Sequence, residues 1–127
     1  EDGIRDYYAS RGLGDVYNRQ ITYCANEKCA IVWVTLDMLK SLNIGEDEIE
    51  GLASIPRQIE GVLIGITMKE KEGGFFKISV RTNGNIDAAK FCSRFGGGGH
   101  KAAAGCSVNG SLEDVRSQLI KAAEETL

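Results

Sequence analysis

The stretch GVLIGITMKEKEGGFFKISVRTN, from Gly61 to Asn83, alternates apolar and polar residues on both sides of a KEGG break. Alternation of this kind marks half-buried strands, because successive side chains point to opposite faces of a sheet. It predicts an antiparallel hairpin whose strands bury Val62, Ile64, Ile66 and Met68 on one side of the turn and Phe76, Ile78 and Val80 on the other. Lys77, Ser79 and Arg81 then stand on the opposite, polar face, with Gly65 and Thr67 as small cross-strand neighbours. A chain committed to that hairpin must cover its apolar face with residues from elsewhere.

The flanking sequence supplies them. QITYCANEKCAIVWVTL holds two β-rich runs around a turn at Asn26, the second apolar from Ala30 to Val34 as in a strand buried on both faces. Asp37 is placed to cap a short helix over MLKSLN, and EDEIEGLASIPRQI reads as further helical turns that Pro56 ends or kinks. NIDAAKFCSRF predicts a helix capped by Asn85 or Asp87 that runs into the glycines at Gly96. The alanines after His100 predict another short helix, stopped by Gly105, before a brief CSV strand and a tight NG turn. Ser111 with Asp114 marks a last helix start, and Leu112, Val115, Leu119, Ala122 and Ala123 recur at helical spacing. The expected fold is α/β (mixed α+β): a mixed sheet of about five strands, from two hairpins plus a further strand, with helices packed on it and an amphipathic C-terminal helix. Residues 1–18, broken by Gly12 and Gly14, read as a linker or broken helix, and residues 19–127 as the domain itself.

At 127 residues, 43% of them hydrophobic, the chain is long enough to bury one core. Its formal net charge of -3 argues against a broad basic surface that grips long nucleic acid, so an anionic ligand should be small or short. No stretch is long and apolar enough to span a bilayer and no leader pattern opens the chain, which reads as cytoplasmic with no membrane partner. The start at Glu1 rather than methionine reads as an excised domain. Cys24, Cys29, Cys92 and Cys106 form no CxxC pair and only one histidine can join them, so no structural zinc is expected. Cys24 and Cys29 flank the first turn, where a cross-hairpin disulfide is geometrically open; reduced thiols are the expected state.

FGGGGHKAAAG, Phe95 to Gly105, needs its own explanation. Each glycine inside a regular element costs about 0.5–1 kcal/mol relative to alanine, so the run must serve either a crowded backbone crossing or the close approach of a ligand. With a helix starting after it, the loop would present unpaired N–H groups and a positive dipole end, the outline of an anion site. His100 and Lys101 would add a donor and a charge. The loop is neither a P-loop nor a dinucleotide fingerprint, lacking the closing Lys-Ser/Thr of the one and the glycine spacing of the other. Arg81 ends a strand shortly before it and can match a phosphate with two parallel donors. Arg57, Lys69 and Arg94 read as surface charges, and Trp33 and the phenylalanines as core. With a single histidine and no Ser/His/Asp set, HExxH or DxD pattern, the chain reads as one that binds without catalysing.

GGGGHKAAAG resembles the GGGH-x-x-AAG motif of the DHH-associated C-terminal domain of DHH-family phosphoesterases, and the likeness runs from near Arg19 to the end of the chain. The resemblance implies a two-lobed enzyme: an N-terminal lobe, absent here, carries Asp-His-His and binds manganese, while this lobe closes over the substrate. It implies that Gly97, Gly98, Gly99, His100 and Arg81 hold the phosphate and sugar of a nucleotide, with Thr82 keeping the hydroxyl of the serine that relatives often carry there. Adding the neighbouring Gly96 and Lys101 completes the candidate substrate-binding set. No catalytic residue, metal ligand or cofactor falls to this chain. Relatives of this kind degrade short oligoribonucleotides, hydrolyse phosphoadenosine phosphate, cleave linear or cyclic dinucleotides, or digest single-stranded DNA, and the acidic balance favours the small-substrate branch. The implied partners are a nucleotide or short single-stranded oligonucleotide, the preceding lobe, and in the parent a second copy. Two rival readings are an RNA- or partner-binding module like the C-terminal domain of alanyl-tRNA synthetases, and a metal-binding module built on Cys24, Cys29, Cys92 and His100.

Overall fold

The computed structural model describes residues 21–42 and 61–127; the broken helix expected over 1–18, the helical turns around Pro56, and Arg57 lie outside the described residues. Along the chain come β1 (Ile21–Cys24), β2 (Cys29–Val34), α1 (Leu36–Leu42), β3 (Ile64–Lys71), β4 (Phe75–Thr82), α2 (Ala88–Ser93), β5 (Gly98–Gly99), β6 (Ala103–Asn109) and α3 (Leu112–Thr126). The strands form one mixed sheet in the order β1-β2-β3-β4-β6-β5. Among the described residues only β2 and β3 run parallel. Among the described residues no helix is long and apolar enough to cross a membrane.

The central hairpin adopts the register its alternation demands, with Gly65 opposite Arg81, Thr67 opposite Ser79 and Met68 opposite Ile78. Its turn uses Gly73 and Gly74 at φ +103° and +81°, a region that side chains with a Cβ disfavour. All six residues of β2 are buried, because the strand lies between β1 and β3 and packs on both faces. One sheet face carries Ile31, Trp33, Ile66, Ile78 and Cys106 into a core closed by Phe91 of α2 and by Val115, Leu119 and Ala123 of α3. Arg116 of α3 lays its guanidinium 4.8 Å from the centre of the Trp33 ring, adding a cation–π contact at the rim of this core.

Helix starts follow local hydrogen bonding. Ser111 accepts from the Asp114 N–H at 3.2 Å to cap α3, and Asp87, rather than Asn85, accepts from the Lys90 N–H at 3.1 Å to cap α2. At α1 the expected cap is corrected: Thr35 takes the role, its hydroxyl accepting from the Met38 N–H at 3.2 Å, while Asp37 falls in the first turn. The helix begins two residues earlier than expected, at Leu36 rather than Met38, with the Leu36 N–H donating to Glu70 Oε1 at 2.8 Å.

A second correction concerns the alanines. Ala103 to Gly105 belong to β6, not to a helix, and Ala104, Cys106 and Val108 are buried while their alternates face outward. Alanine has the highest intrinsic helix propensity, but pairing along the length of β4 overrides it here.

Candidate functional site

The glycine run is the outer arm of a third hairpin. After α2 the chain turns back on itself: the Gly96 N–H donates to the Ser93 carbonyl at 3.2 Å, and those of Phe95 and Gly97 both donate to the Cys92 carbonyl at 3.0 Å. Gly98 and Gly99 then pair with Gly105 and Ala104, and His100 and Ala103 exchange backbone bonds of 2.8 and 3.3 Å around a Lys101–Ala102 turn. A strand rather than a helix follows the glycine run, so the positive dipole end of the expected anion site is withdrawn. Most of the run's amides are also spent inside the fold. Since His100 and Ala103 form a hydrogen-bonded pair, strand alternation turns the Gly99 amide outward, and the Lys101 and Ala102 amides stay open at the tip.

The four glycines do different jobs. Gly96 sits at φ +80°. A Cβ on Gly97 would strike the Gly105 carbonyl oxygen and lie 2.5 Å from the Cys106 Cβ, and one on Gly99, at φ +150°, would lie 2.7 Å from the Ala104 Cα. These are crowded crossings. Gly98 has neither a positive φ nor any atom within 4 Å of an added Cβ, so the described fold does not require glycine there.

Arg81 pairs with Ala103 across β4 and β6, and Ala103 pairs with His100 across the hairpin. Directly opposed residues share a sheet face, so Arg81 and His100 stand on one face with only an alanine between them, their backbones about two strand spacings or ~10 Å apart. Ser79, Gly105 and Gly98 form the adjoining row on that face. The result is a shelf floored by small residues, with the half-buried Arg81 on one side and the exposed His100 on the other. Ser79 was placed on the face of Arg81 by the alternation of its strand, whereas Ala103 and Gly105 were not singled out by sequence; their signal was the outward half of an alternation hidden by the helix-like alanines.

Two of the candidate residues lie elsewhere. Thr82 is 4% exposed on the opposite face, its hydroxyl within hydrogen-bonding reach of the Ile86 carbonyl at 2.8 Å and the Lys101 carbonyl at 3.0 Å. The Lys101 carbonyl also accepts from the Ala88 N–H at 2.6 Å, and the Thr82 N–H donates to the Ala102 carbonyl at 3.0 Å. Thr82 therefore anchors the hairpin tip instead of facing the shelf. Thr82→Val keeps the shape and removes these hydroxyl bonds, leaving the Ile86 carbonyl without its donor; it is expected to cost about 1–2 kcal/mol in urea unfolding. The Lys101 side chain lines a cleft of about 590 Å³ on the helical side, with Lys90, Arg94 and Glu125. Arg94 is a surface charge as expected, paired with Glu125 at 2.8 Å. Lys69 is not: it is 9% exposed, held in β3 between Val34 of β2 and Lys77 of β4.

The cysteines fall into two groups at opposite ends of the sheet, Cys24 facing Cys29 across β1 and β2, and Cys92 of α2 close to Cys106 of β6. All four are free thiols. Among the described residues no three His, Cys, Asp or Glu side chains converge, which removes the proposed cluster of Cys24, Cys29, Cys92 and His100.

The DHHA1 domain family matches residues 26–127, a span that contains both the shelf and the whole glycine hairpin. The chain belongs to the DHHA1 domain family. This DHHA1 domain is the DHH-associated domain that the glycine motif resembled. It is 29% identical over 83 residues to the bifunctional oligoribonuclease and PAP phosphatase NrnA of Thermus thermophilus, an overlap of 65% of this chain. The chain spans about a quarter of the length of that curated relative, 25%. In fold the DHHA1 domain is similar to an exopolyphosphatase-related protein from Bacteroides fragilis, with a TM-score of 0.78 and 24% identity over 91% of this chain and 34% of that one. It is also similar to the pGpG-specific phosphodiesterase PggH from Vibrio cholerae, with a TM-score of 0.59 and 16% identity over 91% of this chain and 39% of that one.

Proposed function

We propose that this domain is the substrate-binding lobe of a phosphoesterase, seating a phosphate of a nucleotide or short single-stranded oligonucleotide on the shelf between Arg81 and His100. Residues 1–18 would lead into it from a preceding lobe that carries the metals. The observation that carries this reading is the Arg81–Ala103–His100 row, which sets a cation and an imidazole on one face with nothing large between them. A guanidinium offers two parallel N–H donors to a phosphate, and an imidazole N–H can take a further oxygen from the other side. The outward amide of Gly99 and the open amides of the tip supply neutral donors beside them, and Gly98 lets a ligand approach the backbone. The family relative's name, an oligoribonuclease and PAP phosphatase, supports small phosphorylated nucleotides as the ligand class.

This lobe would act by positioning, holding the scissile phosphate where chemistry elsewhere can reach it. The manganese that the family resemblance implies belongs to the preceding lobe, and no described side chain here is assigned to it.

Titration of the labelled chain with a phosphorylated dinucleotide, followed by NMR, tests the reading. Resonances of Gly98 to Ala102 and the Arg81 side chain are expected to shift together, and Arg81→Ala and His100→Ala should each weaken binding about tenfold or more, as expected for loss of a charge-assisted bond. No shift up to millimolar ligand overturns it. Tighter binding to long RNA with a steep salt dependence would favour the tRNA-binding alternative.

A further inference from the structure

Cys92 and Cys106 hold a place in the fold that the binding role does not use. Cys92 lies in the last turn of α2 and Cys106 within β6, so the two thiols bracket the glycine run and its turn in sequence and share one core cluster in space. They are near enough to shift one another's titration. Gly97 is threaded between their backbones: its N–H donates to the Cys92 carbonyl at 3.0 Å, and its missing Cβ would fall 2.5 Å from the Cys106 Cβ. Cys92 is sealed while Cys106 keeps 8% of its surface open.

We propose that Cys92 and Cys106 form an oxidisable dithiol, and that a peroxide converts it to a disulfide which ties α2 to β6 and fixes the glycine hairpin between them. Cys106 is the thiol that reacts first, being the more open of the two. The neighbouring Cys92 thiol is a donor that favours the Cys106 thiolate and holds its pKa below the ordinary thiol range. That thiolate attacks one oxygen of hydrogen peroxide, the O–O bond breaks, and a sulfenic acid forms with release of water once a proton is taken up. Cys92 then attacks the sulfenic sulfur, losing its proton, and the S–O bond breaks to release a second water. Two thiols and one peroxide thus give one disulfide and two waters. Its neighbour pair at the far end of the sheet, Cys24 and Cys29, closes only a short turn and leaves the hairpin untouched.

Treating the chain with hydrogen peroxide and digesting it with trypsin tests the pairing. A linked species joining Phe91–Arg94 to Ala102–Arg116 is expected, distinct from any species joining the peptides that hold Cys24 and Cys29, and thiol reductant should dissolve it. Amide exchange at Gly97 to Ala103 should slow about tenfold or more on oxidation, and the melting midpoint should rise by roughly 10 °C, the effect of closing a loop of this size. Cys106→Ser should abolish both changes. Absence of the linked species overturns the pairing even if that variant fails to fold. A linked species with unchanged exchange overturns the restraint. Neither measurement needs a nucleotide, so the outcome is independent of the binding reading.

Discussion

Gly97→Ala is expected to destabilise the chain strongly, lowering its urea midpoint well below the parent's, whereas Gly98→Ala, one residue on, should fold as well as the parent and lose nucleotide affinity. The two glycines share a neighbourhood but not a reason. An alanine at 97 drives its Cβ into the Gly105 carbonyl oxygen and to 2.5 Å from the Cys106 Cβ, both held by β6, so relief requires moving the strand. Overpacking against a fixed backbone costs about 3 kcal/mol or more, a large share of the ~5–15 kcal/mol that stabilises a domain. At 98 the added methyl meets nothing, and removing backbone freedom from the unfolded chain offers about 0.5–1 kcal/mol of stabilisation. Urea midpoints of the two variants test the first half, and dinucleotide titration of Gly98→Ala the second. A Gly98→Ala chain that binds like the parent would mean the ligand does not approach the backbone there.

Phe91→Ala should cost about 3–5 kcal/mol, the range for truncating a buried aromatic. Phe91 is 2% exposed, sits in the core cluster that joins the sheet to α2 and α3, and holds its ring 6.1 Å from that of Phe95. Because Cys92 takes the Gly97 N–H, a loosened α2 also loosens the hairpin it leads into. Hydrogen exchange should therefore report faster opening at Gly97 to Ala103 than at β3, while thermal melting reports the global loss.

The sequence was most legible where one physical rule acted alone. Period-two alternation from Val62 to Val80 specified the central hairpin and its two faces, since a slip of one residue would expose every apolar side chain, and the structure resolves the candidate neighbours into the pairs Gly65–Arg81 and Thr67–Ser79. It was least legible where local preference and long-range pairing disagree. Ala102 to Ala104 are strong helix formers, yet the partner strand β4 presents a free edge and the alternation of Ala104, Cys106 and Val108 fits it. That misreading also hid the shelf, because Ala103 and Gly105 face the same side as Arg81 only if they are in a strand. Thr82 was misplaced for a related reason: adjacent residues of a strand point apart, so Arg81 and Thr82 cannot both face one ligand. The meeting of Cys92 with Cys106 follows from the fold and had no local signature.

The border strand β5 holds only Gly98 and Gly99. Exposed margins of sheets recruit other polypeptides by extending the ladder, and proteins limit this by keeping such margins brief. Two residues without side chains give an incoming chain neither length to zip along nor pockets to read. An edge this brief offers strand addition little to build on, whereas the phosphate proposed for the shelf needs only a few fixed donors and no continuous track.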